Sequence, residues 1–182
     1  EGARLRQTRQ GSELVLDLTD AEAPEVPENA PARYRLGSTL QVVEFRDWAE
    51  IGALVAPHYE RAQELAPESP PRAQIARIAA AHADPAGRAM AALRLVQDEI
   101  RYLALVMGDG NYLPASTDQT WTRRYGDCKG KTVTLLALLR GLGIEAEPML
   151  VNSQLGDTLE ERLPQMGLFD HVLVRPRIDG RA

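Results

Sequence analysis

Cys128 and His171 are the residues of this chain whose types and placement suit covalent chemistry. Cys128 is its one cysteine and lies in Arg124-Tyr125-Gly126-Asp127-Cys128-Lys129-Gly130-Lys131, with an apolar helical pattern directly after it. His171 lies in Phe169-Asp170-His171-Val172-Leu173-Val174, a run of β type 43 positions downstream. A cysteine that opens a helix and a histidine on a later strand form the layout of a thiol nucleophile and its base, which only tertiary folding can bring together. The positive end of a helix dipole and the unpaired amides there favour a thiolate. Gly126 would let the backbone turn sharply and Asp127 would cap the helix. The alternative is a buried structural cysteine, the commoner fate of a lone one. Polar neighbours (Asp127, Lys129 and Lys131) argue against an apolar burial, and the two lysine charges would help hold a thiolate.

A histidine base normally has a third group that orients its ring. Asp170 is adjacent to His171 and so faces the other side of a strand. Asp179 has the right parity but lies eight extended residues on, roughly 26 Å away. Neither fits easily. For His171 the alternative is a satisfied core histidine, while His58 and His82 read as surface residues. One cysteine and three scattered histidines show no metal-ligand spacing. Asp109-Gly110-Asn111 fails as a calcium loop, because Thr120 stands at its twelfth position. Neither a phosphate-binding P-loop nor a dinucleotide fingerprint is found. No metal and no cofactor is expected.

The 182 residues suffice for one domain, or one domain and part of another. A 44% hydrophobic and 26% charged composition is that of an ordinary globular chain. The net charge of −5 argues against a nucleic-acid surface. No run is long and apolar enough to predict a membrane span. The chain starts at Glu1 and not at methionine. The native N-terminus is therefore expected to lie further upstream, which leaves the compartment open.

Residues 1–45 read as a β-type segment, the expected end of a preceding β domain. Leu14, Leu16 and Leu18 alternate on one face, residues 21–32 hold three prolines, and residues 40–45 are strand-like. From Asp47 the pattern turns helical, through Ile51, Leu54, Val55 and Tyr59. A short helix through Ile75 and Ile78 follows. Asp84-Pro85 then opens a helix with the stripe Met90, Leu93, Val96, Ile100 and Leu103. Residues 107–117 read as a loop. The cysteine helix runs from about Cys128 to Leu142, apolar on most of its circumference and hence central, with Gly143 ending it. Residues 147–152 and 169–178 read as strands joined by a long loop, the second ending at the turn signal Asp179-Gly180.

Taken together, several segments resemble the bacterial transglutaminase-like superfamily. They are Tyr125-Gly126-Asp127-Cys128-Lys129-Gly130-Lys131, Leu135-Leu136, Leu142-Gly143-Ile144, Val151-Asn152, Leu163-Pro164 and Phe169-Asp170-His171-Val172. Ile100-Arg101-Tyr102 and Tyr112-Leu113-Pro114 fit as well. The similarity is closest to members in which this core follows a β domain of the DUF3857 type. The resemblance implies an α+β, papain-like or transglutaminase-like core over residues 46–182, its central helix opening at Cys128 and packed on an antiparallel sheet. It implies a Cys–His–Asp triad with Cys128 and His171 as the first two members. The family's aspartate stands on a strand after the turn that Asp179-Gly180 would make, so the core is expected to be incomplete at its C-terminal strands.

The resulting expectation is cysteine-dependent acyl transfer or amide hydrolysis on a protein or peptide, with Tyr102 and Trp121 as candidates to support the oxyanion. The rival is an inactive binding or scaffold module of the same fold. The last strand is expected to offer an edge for pairing with another chain.

Overall fold

The structure, a computed structural model, describes residues 4–10, 13–19, 25–31, 41–104 and 112–181. Strands β1 (Arg4–Gln10) and β2 (Glu13–Thr19) form an antiparallel hairpin in which Gln10 stands opposite Glu13 and Arg4 opposite Thr19. Residues 41–45 are irregular, against the strand expected from their alternation; Leu40 lies outside the described residues.

Among the described residues, four helices and two short strands lie between the hairpin and the cysteine helix. Asp47 caps α1 (Trp48–Ala62) by accepting from the Glu50 amide. Its buried face is Ile51, Tyr59 and Ala62, while Leu54, expected on that face, points to solvent. Helix α2 (Pro71–Ala81) starts on a proline. Asp84 caps α3 (Pro85–Glu99), and Pro85 occupies its first turn as the sequence predicts. The expected α3 stripe is corrected at both ends. Met90 is exposed, Ala92 and Val96 carry the buried face, and Leu103 lies beyond the helix. At Ile100 the backbone turns extended and enters β3 (Arg101–Tyr102).

Residues 112–116 of the expected loop are irregular, residues 107–111 lie outside the described residues, and helix α4 (Thr117–Arg123), which was not expected, starts at the loop's last residue. A capping box starts it: the Ser116 hydroxyl accepts from the Gln119 amide, and the Gln119 side chain accepts from the Ser116 amide. Arg124 ends it in the left-handed region at φ 59°. Strand β4 (Tyr125–Gly126) pairs in parallel with β3.

Helix α5 (Cys128–Gly141) is the centre of the molecule. On one side Leu138, Leu139 and Leu142 join Ile78, Val96, Ile100 and Trp121 in a buried cluster. On the other side Val133 and Leu136 pack with Tyr59, Ala62 and Val172. Burial on both sides accounts for the nearly all-round apolar sequence. The helix ends in a Schellman motif: the Ile144 amide donates to the Leu139 carbonyl, the Gly143 amide to the Arg140 carbonyl, and Gly143 takes φ 76°. Strands β5 (Glu145–Val151) and β6 (His171–Arg177) form an antiparallel pair against α5, with Val151 opposite His171. The fold is thus of mixed α+β type. The long β5–β6 connection holds two 3-10 turns, Gly156–Glu161 and Met166–Leu168. After β6, Asp179 (φ 50°) and Gly180 (φ 74°) make a tight turn closed by paired hydrogen bonds between Ile178 and Arg181.

Candidate functional site

The cysteine turn is built from below by Thr120. This buried α4 residue presses against the backbone of Gly126 and Gly130. A Cβ on Gly126 would stand 3.0 Å from the Thr120 Cγ2, and one on Gly130 would stand 2.9 Å from its Oγ1. Gly126 does not have a positive φ, so the glycine is required by close approach and not by a sharp turn as the sequence suggested. Asp127 caps α5 as expected, its Oδ1 accepting from the Gly130 amide at 2.9 Å. Cys128 is therefore the first helical residue and half-buried.

His171 stands at the start of β6, half-buried. Cys128 and His171 line the same two depressions. One is a narrow cleft of about 50 Å³ walled by Tyr112, Lys129, Leu150, Met166 and Phe169. The other is a trough of about 460 Å³ between α3, α5 and β6, floored by Val96, Thr132, Leu135 and Val174. A wider groove of about 560 Å³ between α2 and α3 holds neither residue. His82, expected on the surface, is half-buried in the wall of that groove, whereas His58 is exposed.

The two lysines do not point their charges at the thiol in the way the sequence suggested. Lys129 is ion-paired with Asp127. The Lys131 ammonium donates to the Ile100 carbonyl at 2.5 Å and to the Val96 carbonyl at 3.1 Å, at the C-terminal end of α3. Desolvation lowers the Lys131 ammonium from its ordinary value, with Asp98 opposing the shift.

Of the two aromatic candidates, Tyr102 lies beside the cysteine and Trp121 lies in the core. Tyr102 and Cys128 line the same trough. Partial desolvation, then the charges of Cys128 and Asp127, push its phenol upward. Two backbone bonds fix it there, from the Arg101 amide to the Arg124 carbonyl (2.9 Å) and from the Leu103 amide to the Gly126 carbonyl (3.0 Å). Trp121 is 5% exposed, with the Arg124 guanidinium 4.4 Å above its ring. Sequence reasoning missed two further neighbours. Tyr59 is buried near the thiol; its phenol is raised by burial first and by Cys128 and Asp127 next. Tyr112 stands in the cleft wall. Both were legible as aromatic residues, but nothing in their spacing points to Cys128.

The β5–β6 connection is pinched at its neck. The Asp170 amide donates to the Val151 carbonyl, and the Asp170 carboxylate accepts from both the amide and the hydroxyl of Ser153 at 2.8 Å. These bonds hold its carboxyl below the usual carboxylate range. Asn152 accepts from the Gln154 and Leu155 amides and donates to the Leu168 carbonyl. Phe169 packs edge-on against Trp48, ring centroids 5.6 Å apart. Among the described residues none hydrogen-bonds the His171 ring, no cluster of His, Cys, Asp and Glu could hold a metal, and no helix is long and apolar enough to cross a membrane.

No family model and no curated protein matches the chain. Among solved structures it is similar to a candidate protease from Parabacteroides distasonis ATCC 8503, with a TM-score of 0.61 and 12% sequence identity. The match covers the whole of this chain and 35% of the other, so the chain spans about a third of that protein's length. At this identity the likeness carries the fold alone, a mixed α+β arrangement shared with a protease-like protein.

Proposed function

We propose that residues 46–182 are a papain-like, transglutaminase-like core whose Cys128 thiolate attacks the carbonyl carbon of a protein or peptide amide. His171 takes the thiol proton and returns it to the departing amine, leaving an acyl-enzyme. Water or a second amine then releases the acyl group, which gives hydrolysis or transamidation. The Cys128 amide, at the N-terminus of α5, and the Tyr102 hydroxyl are the donors for the oxyanion; Trp121 supports them from the core. The observation that carries the reading is that Cys128 at the start of α5 and His171 at the start of β6 line one cleft.

In the resembling family the ring-orienting aspartate follows the turn corresponding to Asp179-Gly180. A tight turn at Asp179-Gly180, closed by the bond pair between Ile178 and Arg181, is the turn that placement calls for. Edge pairing of β6 with another strand belongs to the same proposal, as does the assignment of residues 1–45 to the end of a preceding β domain. One observation favours a second reading, a binding module without turnover: the His171 ring has no hydrogen-bond partner among the described residues.

A peptide-cleavage assay and an amine-incorporation assay on labelled casein test the proposal, each run with the wild type and Cys128→Ala. Activity in either assay that disappears in Cys128→Ala supports the enzyme. Equal signals in the two proteins remove it.

A further inference from the structure

We propose that Lys131 is a positioning residue for Tyr102, and through Tyr102 for the Cys128 thiol; this deepens the catalytic reading above and rests on it. A chain of contacts leads from Lys131 to the wall of the trough that holds Cys128. Lys131 lies three residues after Cys128, on the next turn of α5. Its ammonium reaches across to α3 and binds the carbonyls of Val96 and Ile100. The Ile100 carbonyl belongs to the peptide that joins α3 to β3, two residues before Tyr102. Tyr102 in turn lines one trough with Cys128 and Lys131.

The chemistry of the α3 terminus requires such a partner. The last carbonyls of a helix have no partners within it and carry the negative end of its dipole. Here the Ile100 amide still closes onto the Val96 carbonyl at 3.3 Å while Ile100 itself is already extended (φ −113°, ψ 108°). The Lys131 ammonium covers both carbonyls at the point where helix becomes strand. The Arg101 and Leu103 backbone bonds to Arg124 and Gly126 fix the strand laterally. Lys131 fixes where along α3 that strand starts. One helix thus carries both the thiol and the group that sets the distance of its hydroxyl partner.

The test is the rate of Cys128 alkylation by iodoacetamide at pH 7, which needs no substrate. It is measured in the wild type, Tyr102→Phe, Lys131→Met, Lys131→Arg and the double variant Tyr102→Phe/Lys131→Met, with circular dichroism as a check on folding. A hydrogen bond donated to the thiolate favours it, so Tyr102→Phe is expected to slow alkylation about fivefold. Lys131→Met is expected to slow it about threefold when Tyr102 is present and not at all when Phe replaces it. Lys131→Arg, which keeps a cationic donor, should restore most of the rate. Should Lys131→Met not fold, Lys131→Gln, too short to span both carbonyls, takes its place in the same cycle. An equal slowing by the Lys131 substitution in both backgrounds, or no slowing in either, overturns the proposal. Failure here leaves the turnover assays with Cys128→Ala unaffected, and failure of those assays leaves this cycle readable.

Discussion

Tyr102 stands in parallel register with Gly126, two residues before Cys128. This two-residue ladder joins the segment after α3 to the cysteine turn. It explains how an otherwise exposed tyrosine, with 58% of its surface accessible, comes to line the same trough as a half-buried thiol. The parallel pairing is possible only because Arg124 ends α4 in the left-handed region and directs the chain alongside β3. The site is therefore held by its approach segments as much as by α5 itself.

The Asp127 cap and its ion pair with Lys129 make a first prediction. Asp127→Ala should lose at least about 1 kcal/mol of stability, the usual value of an N-cap. A further loss is expected because Lys129, with 13% of its side chain exposed, is left without its counter-charge. In urea denaturation the double variant Asp127→Ala/Lys129→Met should be more stable than Asp127→Ala alone. A double variant no more stable than the single one would show that the ion pair has no structural weight.

Gly143→Ala isolates the C-terminal stop of α5. Nothing stands within 4 Å of the Cβ that alanine would add, so the cost is conformational. At φ 76° it should be about 1–2 kcal/mol. Gly143→Asn should cost less, since asparagine tolerates the left-handed region. Equal stability of wild type and Gly143→Ala would contradict the Schellman assignment.

Asp170 gives a pH dependence. Its carboxyl is held below the usual range first by the Ser153 amide and then by the Ser153 hydroxyl. A depressed carboxylate contributes stability that is fully present above its unfolded value, about 3.9, and is lost as pH falls through the lower folded value. The neck of the β5–β6 connection should therefore be firm at neutral pH and open in acid. In amide exchange of Ser153, Asp170→Asn should exchange faster than wild type at pH 6, and the difference should shrink as pH falls below about 3.9. A difference that stays constant with pH would show that the carboxylate charge plays no part.

Much of the helical frame could be read from local chemistry. Asp47, Asp84-Pro85, Asp127 and Gly143 announce helix ends because caps act within one turn, and each is found doing so. Helix α4 was missed although Ser116 and Gln119 spell a capping box, because seven residues offer too few apolar positions for a helical period to show. The alternation over residues 41–45 failed as a strand signal: a period of two forms a strand only with a partner, and none pairs with this segment among the described residues. At the site, residue type and position singled out Cys128, His171 and Tyr102, and all three line the trough beside α5. The roles of Lys129 and Lys131 were not legible. Sequence shows a charge beside a thiol, whereas the direction in which a long side chain reaches depends on Asp127 and on the end of α3, which only folding brings near.

Trapping of an acyl-enzyme with a p-nitrophenyl ester, read by intact mass and peptide mapping, tests Cys128 as the nucleophile most directly. One acyl group is expected on Cys128, none there in Cys128→Ala, and formation slowed by about 10²–10⁴ in His171→Ala. Acylation of His171→Ala at the wild-type rate, or an acyl group carried elsewhere than on Cys128, would contradict these roles.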